Sequence, residues 1–373
     1  MFDQTYQLLA ACAYAEAKWV NYEGLAQQAS QFTAWEDLPA QAEAYGLGPL
    51  LYTYLKQAGV ALPAGVQREL QGLYLRHRHA NEVKARVLGK ILAAFHSAGI
   101  ETCVLKGAAL AHLIYPQPGL RPMRDLDLLV KKSEALKAQA LLAELDFVAP
   151  VPTHLPDKHL PAATCKTEGL SVSVELHHNL FNAAYPASLT LEESTIPALT
   201  FAVNGQSACT LGYEELLWHL CEHVTYHTNV WESLRLIWVA DIVGLAEHFA
   251  AEIDWPLIKQ RYPVVMNVLS LFHFITPLSP TLQAHSGLMM DRTLTEIGFE
   301  FEGWPRTSIR QQRLKGKGYG RILADTFCPS ELWLRLHYRL NASRSIFWQR
   351  WLLHPSYIFS RINQLLQEKV LRP

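Results

Sequence analysis

The chain has 373 residues, 50% of them apolar and 18% charged, with a formal net charge of −1. That length suits roughly two or three domains, or one elaborated domain, with enough apolar residues for a large buried core. Near-neutral charge excludes a strongly basic nucleic-acid coat protein and an acidic disordered tail, so any polyphosphate contact must come from a local patch.

The start, MFDQTYQLLAACAYAEAKW, lacks a basic leader, which argues against a signal peptide. Leu8, Leu9, Cys12 and Ala13 recur at helical spacing, as do Leu50, Leu51 and Leu55. After Pro63 a long helical pattern runs through Leu70, Leu73, Leu88, Ile91 and Leu92 and closes at Gly99, with a charged face assigned to solvent. IETCVLKG then reads as a short strand ended by Lys106-Gly107, and AALAHLIY as a helix. PQPGLRPM is a loop, RDLDLLV a strand, SEALKAQALLAEL a helix capped by Ser133, and FVAP a further short strand. SVSVELHHNL alternates as a strand again. From residue 211 helical patterns return, beginning with YEELLWHLCEHVTYH and WESLRLIWVADIVGLAEHFA.

These patterns predict an α+β core over 99–205, embedded between helical regions at 1–98 and 206–373. No apolar run reaches the ~20 residues of a membrane span. The six cysteines are scattered without a C-x-x-C pair, which suggests a reducing, cytoplasmic setting.

Chemistry concentrates in the central region. On a strand, Asp125 and Asp127 share one face while Leu126, Leu128 and Val130 share the other. Adjacent carboxylates repel, and a divalent cation relieves them; oxygen ligands favour Mg²⁺ or Mn²⁺. In SVSVELHH, Val172, Val174 and Leu176 form one face, leaving Glu175 and His177 on the other. If the two strands are neighbours, Glu175 completes a three-carboxylate cluster suited to two-metal phosphoryl transfer. Lys106-Gly107, at a strand-to-helix turn, is a candidate phosphate cradle.

L-K-G-A-A-L, then Y-P-x-P-G-x-R-x-x-R-D-L-D-L-L-V, then V-E-L-H-H resembles a nucleotidyltransferase family within the polymerase-beta-like superfamily. The resemblance covers residues 95–180 and extends loosely to LLWHLCEHVTYH…LRLIWVADIVGL. It implies a nucleotidyltransferase fold, transfer of a nucleoside monophosphate from an NTP by a two-metal mechanism, Asp125, Asp127 and Glu175 as metal and catalytic acids, and Gly107 as the turn glycine. Ala108 stands where most of the superfamily has Gly or Ser, so Lys106 is the group left to supply charge to the triphosphate. The Lys-Gly turn with an Arg before the Asp pair also resembles toxin-like nucleotidyltransferases of abortive-infection systems.

Arg121 and Arg124 precede the acid pair and suit either the triphosphate or the aspartates. His177 lies on the acid face. His219 and His223 sit four apart on a helix within H-x-x-E-H, which suits a cleft wall or plain packing better than an inverted zincin site. Residues 306–321 hold six Lys/Arg and no acid, a patch for polyphosphate or RNA or a solvated loop. The aromatic and arginine-rich tail from ELWLRL to SYIF reads as core packing with an exposed basic edge, ahead of a membrane-surface or nucleic-acid-binding helix. D-x-D also serves sugar-nucleotide glycosyltransferases, and a non-catalytic nucleotide- or partner-binding module is the remaining alternative. The acceptor and the oligomeric state stay open.

Overall fold

Apolar residues at helical spacing fold the first hundred residues as helices. In the computed structural model, which describes residues 4–150, 152, 155–183, 185–230, 234–288, 318–360 and 363, these are α1 (Gln4–Ala10), α2 (Tyr22–Gln31), α3 (Leu38–Tyr45), α4 (Gly48–Gln57) and the 34-residue α5 (Ala64–Ser97). At 1.5 Å per residue α5 is about 50 Å long. Its two ends serve different cores. Val66 and Leu70 join the cluster built from α1–α4, whereas Val83, Val87, Leu88, Ile91 and Phe95 pack beneath the sheet. Gly99, at φ +70°, lets the chain turn back so that the Ile100 N–H reaches the Phe95 carbonyl at 2.9 Å.

Four strands, β1 (Thr102–Val104), β2 (Asp125–Val130), β3 (Ala163–Thr167) and β4 (Leu170–His177), form a mixed sheet in the order β1-β2-β4-β3. α6 (Lys106–Leu113) follows β1 directly. β2 and β4 are parallel and the other neighbours antiparallel. A parallel pair requires a crossover, and α7 (Ala135–Glu144) lies in it. A separate hairpin pairs β5 (Leu199–Val203) with β6 (Gln206–Thr210), so residue 205 falls in its turn. Glu168-Gly169 and Asn204-Gly205 both place two successive residues at positive φ, the tight-turn form that matches strand twist.

Alternation along β2 and β4 divides the sheet's surroundings. Leu126, Leu128, Val130, Val172, Val174 and Leu176 pack with α5, α6 and α7, while Cys103, Leu105 and Leu129 join the larger cluster of flanking helices. That larger cluster includes α8 (Tyr213–Val230), α9 (Leu236–His248), α10 (Trp255–Arg261), α11 (Pro263–Phe272) and α12 (Pro280–Ser286). Two further helices, Tyr319–Phe327 and Glu331–His337, precede a helical stretch over 347–360. The architecture is therefore an α+β sheet core flanked by helical regions on both sides in sequence. Among the described residues no helix is long and apolar enough to cross a membrane.

Three local expectations change. Ser133 lies inside a 3-10 turn (Lys132–Glu134) and does not cap α7. FVAP contributes only a single bridge, Val148 to Thr164. In the tail, Trp333 and Ile358 are buried as expected, but Phe347, Trp348, Trp351 and Phe359 face solvent. Most of the basic stretch, residues 306–317, lies outside the described residues.

α9 is buried along its whole length from Leu236 to Glu247. An acid there needs partners. Asp241 receives Arg121 Nη2 at 2.6 Å, Arg121 Nε at 3.2 Å and the Tyr115 hydroxyl at 2.7 Å. This triad ties the loop before β2 to the C-terminal helices. Asp241→Ala should strand the Arg121 charge and cost about 3–5 kcal/mol, read from the urea unfolding midpoint. A loss below about 1 kcal/mol, the scale of an exposed pair, would contradict that tie.

Candidate active site

β2 and β4 set the site by register. Asp125 pairs with Ser173, Asp127 with Glu175 and Leu129 with His177. The period of two puts Asp125, Asp127, Glu175 and His177 on one sheet face. His177 Nε2 lies 2.8 Å from Asp127 Oδ1 and 3.4 Å from Glu175 Oε2. Asp127, Glu175 and His177 thus bring three donor atoms within 4.8 Å of one another, close enough to hold one cation. Asp125 stands one step earlier on the same face, outside that cluster but lining the same cavity.

Lys106 closes the other side. It begins α6 at φ +47°, a left-handed conformation that side chains resist, and its Nζ sits 2.9 Å from Asp127 Oδ1. Gly107 makes room for Arg121. A Cβ there would fall 2.0 Å from Arg121 Nη1, so the glycine allows the guanidinium to lie against the turn on its way to Asp241. Arg121 is therefore bound to Asp241 rather than to Asp125 or Asp127. Arg124 is exposed and lines the cavity. Ala108 points into the core beneath the sheet.

The cavity holds about 300 Å³, within the range of small-ligand pockets. Besides the acids it is lined by Lys106, Arg124, Lys158 and Arg235, and by His223, His227 and Trp238 from α8 and α9. His219 is buried behind them, with its ring edge-on to Phe181. Glu222, the acid of H-x-x-E-H, is held by Arg339 at 2.8 and 2.9 Å and by the Tyr185 hydroxyl at 2.7 Å. It is committed to packing, which removes the inverted zincin reading.

Sequence reasoning did not find Lys158, His159, His227, Arg235, Trp238 or Asp241 as parts of this site. Two of these carried a local signal: His227 continues the four-residue spacing of His219 and His223, and Asp241 is an acid within the otherwise apolar IWVADIVGL. Asn81 and Lys84, assigned with their helix face to solvent, are buried and bond the backbone of Arg121 and Met123 at 2.8 and 2.5 Å. They hold in place the loop that delivers Asp125.

Electrostatics follow the geometry. Burial pushes Asp127 up, but the Lys106 ammonium and the His177 hydrogen bond outweigh it and hold the carboxyl well below its usual range. Burial, then the Asp127 charge, pushes Asp125 up. The hydrogen bond from His177 outweighs burial at Glu175 and lowers it. Burial, reinforced by the Lys106 charge, lowers Lys158 to about 8. On α8, burial first and neighbouring positive groups second push His219 and His223 well below the ordinary histidine value and His227 to about 4.

A family model described as an uncharacterised nucleotidyltransferase matches residues 32–273. Comparison with curated proteins found no match. Among solved structures the chain is similar to ANT(2″)-Ia in complex with adenylyl-2″-tobramycin, at 16% identity over 46% of this chain and 91% of that one, with a TM-score of 0.33. It is also similar to an antigenic nucleotidyltransferase-like protein from Paracoccidioides brasiliensis, at 17% identity over 58% and 94% of the two chains, with a TM-score of 0.35.

The α8 histidines carry a pH consequence. His227 binds its proton at about 4 in the folded chain and at 6.5 when unfolded, so the unfolded state takes up more protons as pH falls between those values. Its contribution to stability is full above pH 6.5 and is lost as pH drops toward about 4. Unfolding midpoints measured across that window should decline with falling pH, and His227→Asn should flatten the decline. An unchanged slope would mean that His227 titrates as an exposed histidine.

Proposed function

The chain belongs to the uncharacterised nucleotidyltransferase family of the polymerase-beta-like superfamily, and on that footing we propose that it transfers a nucleoside monophosphate from an NTP to an acceptor. The observation that carries this is the placement of Asp127 directly opposite Glu175, with His177 bonded to Asp127, in a cavity lined by Lys106, Arg124 and Lys158.

Crowded acids with donor atoms within 4.8 Å suit a divalent cation, and Asp127, Glu175 and His177 would hold it, with Asp125 alongside. Mg²⁺ or Mn²⁺ fits, and the imidazole nitrogen moves the preference toward Mn²⁺ relative to an all-carboxylate set. When bound, such an ion neutralises triphosphate charge and polarises the α-phosphorus. Lys106, Arg124 and Lys158 would bind the β- and γ-phosphates, with Gly107 and Ala108 at the adjoining turn. Arg121 positions that turn through Asp241. Glu175 would accept, or position the group that accepts, the proton of the acceptor hydroxyl. The acceptor oxygen then bonds to the α-phosphorus as the bond to the bridging oxygen breaks and pyrophosphate leaves. Of the histidines suited to the acceptor or the cleft, His223 lines the cavity, whereas His177 lies with the acids and His219 is buried behind. Six free cysteines suit a reducing compartment, which we take to be the cytoplasm.

One observation favours a second reading. The Lys106 ammonium already sits on Asp127 as a built-in cation, which a non-catalytic NTP-binding module of the same fold would tolerate. Incubation with each α-labelled NTP, Mg²⁺ or Mn²⁺, and small-molecule, peptide and RNA acceptors separates the two. Label transfer is expected from the native chain, falling on the order of a hundredfold or more in Asp127→Asn. NTP binding without transfer would favour the module, and the absence of both would overturn either reading.

A further inference from the structure

We propose that the C-terminal helical stretch 347–360 docks on an anionic lipid surface. Phe347, Trp348, Trp351, Leu352, Leu353 and Phe359 are each between 51% and 61% exposed. The same stretch turns His354 and Ile358 fully inward, and His354 Nε2 lies 2.9 Å from the Thr326 carbonyl. The inward side is thus anchored, and the outward side is the more apolar one. That inverts the usual amphipathic helix of a globular protein, and contiguous exposed apolar side chains of this kind mark contact surfaces.

Charge selects the partner. From 332 to 367 the sequence has five arginines and no Asp or Glu. Arg335 and Arg339 are engaged by Glu331 and Glu222, which leaves Arg344, Arg350 and Arg361 as the arginines within or flanking the aromatic cluster in sequence. Tryptophan, phenylalanine and leucine on one side with arginine beside them is the composition of a helix lying in a lipid headgroup layer, where guanidinium groups meet phosphate. A second copy would bring like charges together. Single-stranded RNA would use the aromatic faces but would gain nothing from Leu352 and Leu353. The surface lies along a membrane and does not cross it, in keeping with the absence of a spanning helix among the described residues.

The full chain is tested by co-sedimentation with vesicles of phosphatidylcholine alone and of phosphatidylcholine mixed with phosphatidylglycerol. The native chain should sediment with the mixed vesicles and far less with the neutral ones. Trp348→Ser with Trp351→Ser should weaken that binding about tenfold or more, and Arg344→Gln should reduce the dependence on phosphatidylglycerol. All three side chains are exposed, so unchanged unfolding midpoints verify the fold. Failure of the native chain to bind vesicles, or equal binding by the double tryptophan variant, would overturn the proposal. So would a dimer that the tryptophan changes dissociate, or capture of single-stranded RNA in place of vesicles.

Discussion

Everything in the candidate site depends on the parallel pairing of β2 with β4. Side chains alternate faces along a strand, so a slip of one residue in this pair would send Glu175 and His177 into the core beneath the sheet. The apolar residues between them prevent the slip. Leu126 and Leu128 must meet Val174 and Leu176 above α5 and α7, and this fixes Asp127 opposite Glu175. Hydrophobic burial on one face thus sets a polar constellation on the other. The arrangement is stiff because the two faces cannot be changed independently.

Holding these acids together needs positive partners. Lys106 supplies one at the cost of a left-handed backbone, about 1 kcal/mol, with its ammonium on Asp127. His177 supplies another. Arg121 was available from its place in sequence, but Asp241 and Tyr115 hold it, and its contribution is mechanical. The guanidinium lies against Gly107 and bonds Asp241, so it links the turn, the loop before β2 and the buried α9. Asn81 and Lys84 secure the same loop from below. The C-terminal helices accordingly belong to the site, providing His223, His227 and Trp238 as well as the acid that anchors Arg121.

The helices also show how burial controls charge. Of three histidines spaced by four along α8, His223 and His227 line the cavity and His219 lies buried behind them; burial first, and nearby positive charge including Lys106, disfavours their protonation. A cation-rich lining is thereby kept from becoming more so as pH falls moderately. At the far end of the same helical region the opposite pattern holds: apolar side chains lie outward near 347–360, in a stretch of sequence from 332 to 367 that has five arginines and no Asp or Glu.

Much of this was legible from local pattern. A period of two in DLDLLV and SVSVELHH identified both strands and the acid face, and the long 3.6-residue pattern after Pro63 identified α5, because each is set by which side chains one element must bury. Asn204-Gly205 carried an ordinary turn signal, whereas β3, ATCKT, has no alternation of apolar residues to announce it. Ser133 was misplaced as a cap because a 3-10 turn, not a bare helix start, precedes α7. By itself the sequence determined β1, β2 and β4, the shared face of Asp125, Asp127 and Glu175, and the helical flanks. Only the tertiary structure decided that His177 shares the donor cluster, that Arg121 answers Asp241, and that Lys158, Arg235 and Trp238 line the cavity. It also decided that the aromatic tail faces outward. Local periodicity records which face of an element is buried, but not which distant element buries it, and partner choice is made by packing across the whole chain.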